Sequence, residues 1–130
     1  MSETNVGTKY LVFVYGTLKK GWGNHVIIED QKFLGASKTL DERFQMYHLG
    51  GYPGVVAGSA SVPGELYEVD EAAFARCDRL EGHPHFYKRE LVTVSDPDGD
   101  EGDCLEAWMY VYQGSVRQDR PIDEWLNYGF

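Results

Sequence analysis

Apolar residues run almost without interruption from Tyr10 to Tyr15, in the stretch YLVFVY. A strand exposed on one face alternates, so a continuous run predicts a strand covered on both faces, Lys9–Tyr15. It gives way to GTLKKGWGN, where glycines and polar residues predict a loop. Val26–Leu34 mixes apolar and acidic positions and predicts a short helix or irregular chain. Gly35–Leu40 and Arg43–Leu49 predict two short strands split by Asp41 and Glu42. GGYPGVVAGSASVPG reads as turns, because glycine and proline punctuate it densely. Gly64–Val69 predicts the next strand. Asp70 then stands as an N-cap, with Glu71 in the first turn, and a helix is expected to run to Glu81. Gly82 is placed to terminate it, with Pro84 beyond. Phe86–Ser95 and Cys104–Tyr112 predict strands joined by the hydrophilic loop DPDGDEGD. After Gly114, Pro121 opens a tail expected to dock as a short helix or strand. One clear helix among many short strands predicts the α+β class, as a small mixed β-barrel flanked by one main helix. A single domain over residues 1–130 is expected, with its core at about 9–113 and a C-terminal extension at 114–130.

Composition narrows the function. The 130 residues carry 21 acidic and 12 basic side chains, a net charge of −9. That balance gives no electrostatic footprint for phosphate backbones, so nucleic-acid binding is not expected. No run approaches the roughly 18 apolar residues of a membrane span, and the N-terminus has no apolar signal core; a soluble, cytoplasmic protein is expected. Cys77 and Cys104 are the only cysteines and form no C-x-x-C pair. No zinc site is expected, and two buried thiols are favoured over a disulfide.

The chemistry concentrates in two places. At ~100° per residue, Glu81 falls within about 20° of Phe74 on the helix, and one turn after Cys77. It therefore sits at the edge of the apolar stripe, whereas Glu71, Arg76, Asp78 and Arg79 are expected on the solvent side. The helix end and partial burial both disfavour its charge, raising its pKa toward the range of a general base or acid. A Glu extending to solvent from a helix end satisfies the same pattern. Glu65 offers a second carboxylate, either orienting or outward-facing. The loop after the first strand spaces Gly16 and Gly21 as a phosphate-binding loop does, but Trp22-Gly23 replaces the required Lys-Ser/Thr, which excludes that reading. What remains is a turn whose N–H groups at Gly16, Thr17 and Leu18 are able to converge on a carboxylate, or a simple tight turn. His25, His48, His83 and His85 form no metal-ligating or nucleophile-activating pattern.

In order along the chain, VFVYGTLKKG followed by NH, GYPG, GELYEVD, RLEG, FYKRELVTV and AWMYVY resemble the γ-glutamylcyclotransferase-like (AIG2-like) family, over about Lys9 to Tyr112. The form YGTLKKG…NH in a short chain most resembles its γ-glutamylamine cyclotransferase branch. The resemblance implies a small mixed barrel with helices. It also implies a cofactor-independent reaction in which the α-amine of a γ-glutamyl group attacks its own γ-carbonyl, releasing 5-oxoproline and an amine. By the same resemblance Tyr15, Gly16, Thr17 and Leu18 form the loop that binds the γ-glutamyl end, and Glu81 carries the proton. Tyr87 lines the site, with Tyr110 and Tyr112 as further candidates. The partner implied is a small γ-glutamyl molecule. A non-catalytic ligand-binding module, or a cyclotransferase acting on γ-glutamyl amino acids or glutathione, is the alternative.

Overall fold

The structure is a computed structural model that describes residues 8–118 and 120–126. Its elements are β1 (Lys9–Val14), a 3-10 turn (Gly23–Ile27), β2 (Lys32–Lys38), β3 (Phe44–His48), β4 (Pro53–Ala57), β5 (Pro63–Asp70), α1 (Glu71–Glu81), β6 (Tyr87–Ser95), β7 (Cys104–Tyr112) and β8 (Pro121–Ile122). Five strands form one sheet in the order β2-β5-β1-β7-β6, and three form a second in the order β4-β3-β8. Within the large sheet only β1 and β7 run parallel, meeting at Val12 and Trp108; β5 pairs with β1 from Lys9 opposite Asp70 to Val14 opposite Glu65.

The class is α+β, but the sheet does not close into a barrel. Its edge strands β2 and β6 meet at one corner, where Thr39 bridges Val94 and the Ser37 hydroxyl donates to the Ser95 carbonyl at 2.6 Å. The small sheet covers the face that a closed barrel would turn inward.

The continuous apolar run of β1 has its explanation in two cores. Phe13 and Tyr15 point into a cluster with Phe44, Met46, Val55, Leu66 and Met109, between the sheets. Val12 and Val14 point into a second cluster with Tyr67, Val69, Phe74, Cys77 and Tyr110, under α1. The helix is bounded as its sequence predicts. Asp70 Oδ1 accepts from the Ala73 N–H at 2.8 Å, and Gly82 takes the left-handed conformation (φ 64°) that ends the helix.

Several expectations are corrected. β4 lies inside the stretch read as turns. There Gly54 serves close packing, since a Cβ would lie 2.6 Å from Leu49 Cδ1 and 3.0 Å from Tyr112 Cβ. β2 begins at Lys32, earlier than expected, and a register shift between Phe33 and Gly35 obscures its alternation. Both thiols are free, but only Cys77 is buried; Cys104 is exposed at the start of β7. Among the described residues, no helix is long and apolar enough to cross a membrane.

Candidate active site

β1 ends at Val14 and delivers Tyr15, Gly16, Thr17 and Leu18 to one wall of a cavity of about 280 Å³. The end of α1 (Leu80, Glu81) and Phe86, Tyr87 and Tyr110 also line it. Gly51 and Tyr52, between β3 and β4, and Pro53, which opens β4, complete it, and Asn24 reaches in from the 3-10 turn.

The loop is held by its own turn and by its neighbours. The Lys19 N–H donates to the Gly16 carbonyl at 3.0 Å, and Asn24 Nδ2 donates to Thr17 Oγ1 at 2.8 Å. Among the described residues, no acceptor meets the N–H groups of Gly16, Thr17 or Leu18. Gly16 cannot be larger without movement, because a Cβ there would stand 2.8 Å from Pro53 Cγ. Lys19, read as a loop charge, is buried instead. Its ammonium donates to the Trp125 carbonyl at 2.6 Å, and burial lowers its pKa. Trp125 in turn packs against Trp22 and His48, each ring pair 5.2 Å apart, so the chain beyond β8 pins the loop from outside.

Tyr15 is a structural wall. Its hydroxyl donates to the Tyr110 carbonyl at 2.7 Å and accepts from the Val55 N–H at 3.1 Å. Burial raises its pKa far above the ordinary value, with help from Tyr87 and Glu81. Tyr15→Phe leaves two buried backbone groups unpaired, and we expect it to cost about 2 kcal/mol in urea unfolding. Tyr87 is likewise anchored, donating to the Pro53 carbonyl at 2.7 Å, which ties β6 to the start of β4.

Glu81 faces this cavity from the last turn of α1. Among the described residues its carboxyl has no hydrogen-bond or ion-pair partner. Burial alone pushes its pKa from the ordinary 4.5 up to about 7. It is the only charged side chain among the described residues that line the cavity. A carboxyl balanced between its two protonation states, in one cavity with free N–H donors, can move a proton beside an anion held there.

The other expected residues are distributed unevenly. Tyr110 contributes its ring, but its hydroxyl is turned away, donating to Asp78 Oδ1 at 2.6 Å. Tyr112 is outside the cavity wall and packs edge-on behind Phe86, with centroids 5.6 Å apart. Asp78, expected as a surface charge, is half-buried and also paired with Arg89. Arg76, expected at the solvent face, donates to the Ile27 carbonyl at 3.0 Å. Glu65 accepts from the Lys20 N–H and the Tyr67 hydroxyl, each at 3.0 Å, and does not reach the cavity. None of the four histidines lines it; His25 Nδ1 lies 2.9 Å from the Leu18 carbonyl, and His83 Nδ1 accepts from the Arg89 N–H. Among the described residues, no group of three or more His, Cys, Asp or Glu side chains is placed to hold a metal. Asn24, Tyr52 and Phe86 carry no pattern signal as site residues, although they fall within the segments NH, GYPG and FYKRELVTV.

Sequence and fold match known proteins. The family model for γ-glutamyl cyclotransferase, AIG2-like, matches residues 12–127, and the chain belongs to this family. A Vibrio cholerae protein provisionally named a γ-glutamylcyclotransferase is 43% identical over 115 residues, 88% of this chain and 92% of that protein. The γ-glutamylcyclotransferase family protein YtfP of Escherichia coli K12 is 38% identical over 112 residues, 86% of this chain and 85% of that protein. The crystal structure of an AIG2-like protein from Mus musculus superposes with a TM-score of 0.73 at 28% identity, covering 85% of this chain and 81% of that one.

Proposed function

We propose that this protein cleaves a γ-glutamyl amine to 5-oxoproline and the free amine, with Glu81 as the proton carrier. The observation that carries the reading is the position of Glu81. It is a half-buried carboxyl, unpaired among the described residues, with its pKa pushed up to about 7, and it lines the same cavity as residues 16–18, whose N–H groups meet no acceptor among the described residues.

The substrate's α-carboxylate binds the loop N–H groups. Its α-ammonium lies toward Glu81, which takes one proton and frees the amine. The amine attacks the γ-carbonyl and a loop N–H stabilises the oxyanion; Glu81 returns its proton to the departing nitrogen, then takes the second proton from the ring nitrogen and passes it to the released amine, which leaves as an ammonium. The C–N bond to the leaving amine breaks as the ring C–N bond forms, so no water is consumed. Because nucleophile and electrophile share one molecule, holding it in a cyclisation-ready conformation supplies much of the acceleration. Tyr15 and Tyr87, tied down by backbone bonds, keep that cavity rigid.

Mass spectrometry of the products from a panel of γ-glutamyl amines tests this. We expect 5-oxoproline and free amine in equal amounts. Glutamate in place of 5-oxoproline would mean hydrolysis by water and overturn the reading.

A further inference from the structure

We propose that Tyr52 and Phe86 form the leaving-group subsite. It selects neutral, apolar amines that carry an aryl or alkyl group and no carboxylate on the carbon next to the scissile nitrogen. This rests on the roles of Glu81 and the loop given above, and names the substrate class that those roles leave open.

Tyr52 and Phe86 both line the cavity, yet they are 38% and 46% exposed, which marks its mouth. Tyr87, next to Phe86 in sequence, is 4% exposed and lies deeper. The two outer rings come from separate segments, the turn before β4 and the connection from α1 to β6. They meet at 6.3 Å between centroids, inclined at 57°, and Phe86 stands edge-on to Tyr87 at 5.3 Å.

Backbone bonds fix both segments. The Phe86 N–H donates to the Gly82 carbonyl at 3.0 Å, and the Tyr52 carbonyl accepts from the Leu49 N–H at 2.9 Å. Tyr87 joins the two through Pro53. Gly82 allows the approach of Phe86, since a Cβ there would stand 3.0 Å from Phe86 Cβ. Large apolar rings left open to water beside a cavity gain by covering an apolar ligand group.

Charge sets the second half of the selection. With the γ-glutamyl head between the loop and Glu81, its leaving group extends toward Tyr52 and Phe86. A carboxylate there finds no cation among the described lining residues, only the carboxyl of Glu81. Two cations close to the lining residues in sequence are engaged elsewhere: Arg89 pairs with Asp78 and lies over the Phe74 and Trp108 rings, and Lys19 is held by Trp125. Aromatic faces also attract ammonium groups, but at exposed rings that contact is weaker than burial of a phenyl group.

The test compares γ-glutamyl-phenethylamine with γ-glutamyl-phenylalanine, which differ by one carboxylate. γ-Glutamyl-methylamine removes the ring, and γ-glutamyl-putrescine replaces it with a distal cation. We expect kcat/KM for 5-oxoproline release from the phenethylamide to exceed each of the other three by roughly 10-fold or more. In Phe86→Ala and Tyr52→Ala the ratio of phenethylamide to methylamide should collapse, and in Tyr52→Arg the phenylalanine derivative should gain on the phenethylamide. Equal turnover of the matched pair, preference for putrescine, or an unchanged ratio in both alanine variants would overturn the subsite. If no compound yields 5-oxoproline, the reaction assignment fails separately, and calorimetry with Glu81→Gln reads the subsite alone. Binding of the phenethylamide over the phenylalanine derivative then supports it; equal binding, or none, overturns it.

Discussion

Glu81→Gln is expected to lower kcat/KM for 5-oxoproline release by ~10²–10⁴-fold, the usual contribution of a positioned acid–base group, while the protein stays folded. The amide matches the carboxyl in shape and cannot carry a proton at neutral pH. The pH profile sharpens the result. Glu81 titrates at about 7, and its ionised form begins the reaction, so wild-type activity should rise as pH increases through 7. The residual activity of the variant should lack that limb.

Stability should move the opposite way. The folded-state pKa of about 7 lies above the ordinary 4.5, so the fold favours the protonated carboxyl. Below about pH 4.5 Glu81 carries no penalty, and the penalty grows as pH rises toward and past 7. At about 1.36 kcal/mol per pH unit, the ionised group costs at most about 3 kcal/mol, less wherever water reaches it. Glu81→Gln should therefore be more stable than wild type at pH 8, by about 1–2 kcal/mol, and equal to it near pH 4. A variant that loses activity and gains stability at pH 8 separates a catalytic role from a structural one.

The second large effect is expected on the strand that carries the loop. In Gly64→Ala, the new methyl group would stand 2.3 Å from the Val14 carbonyl oxygen and 2.8 Å from the Phe13 ring. The first of these is backbone and cannot swing aside, so β5 must separate from β1. We expect a loss of roughly 3 kcal/mol or more in urea unfolding. Because Val14 leads directly into the loop at 15–18, the surviving folded fraction should also bind γ-glutamyl compounds more weakly. Retained stability and retained binding would show that the β1–β5 pairing does not set the loop.

What the sequence makes legible is local. The unbroken run at 10–15 shows a strand with two covered faces, and Asp70 and Gly82 mark the ends of α1 within a residue. The angular place of Glu81 beside Phe74 and Cys77 puts it on the inner edge of the helix. What it hides depends on contacts between distant segments. Pro53–Ala57 looks like turns because glycine and proline usually turn the chain. Gly54 is there to admit Leu49 and Tyr112, which no local pattern reveals. Asp78 has the spacing of a surface residue, and its burial depends on Tyr110 and Arg89, both on later strands. Lys19 reads as a loop charge until the chain near Trp125 folds over it. Tyr52 and Phe86 become neighbours only because Tyr87 clamps Pro53.

Titration of the Glu81 carboxyl itself tests the account most directly. With 13C-labelled glutamate, the Glu81 resonance is identified by its absence in Glu81→Gln and followed from pH 4 to 9, beside the pH dependence of kcat/KM on the same protein. One midpoint near 7 is expected in both. A carboxyl that titrates near its ordinary 4.5, or an activity limb indifferent to it, would contradict Glu81 as the proton carrier.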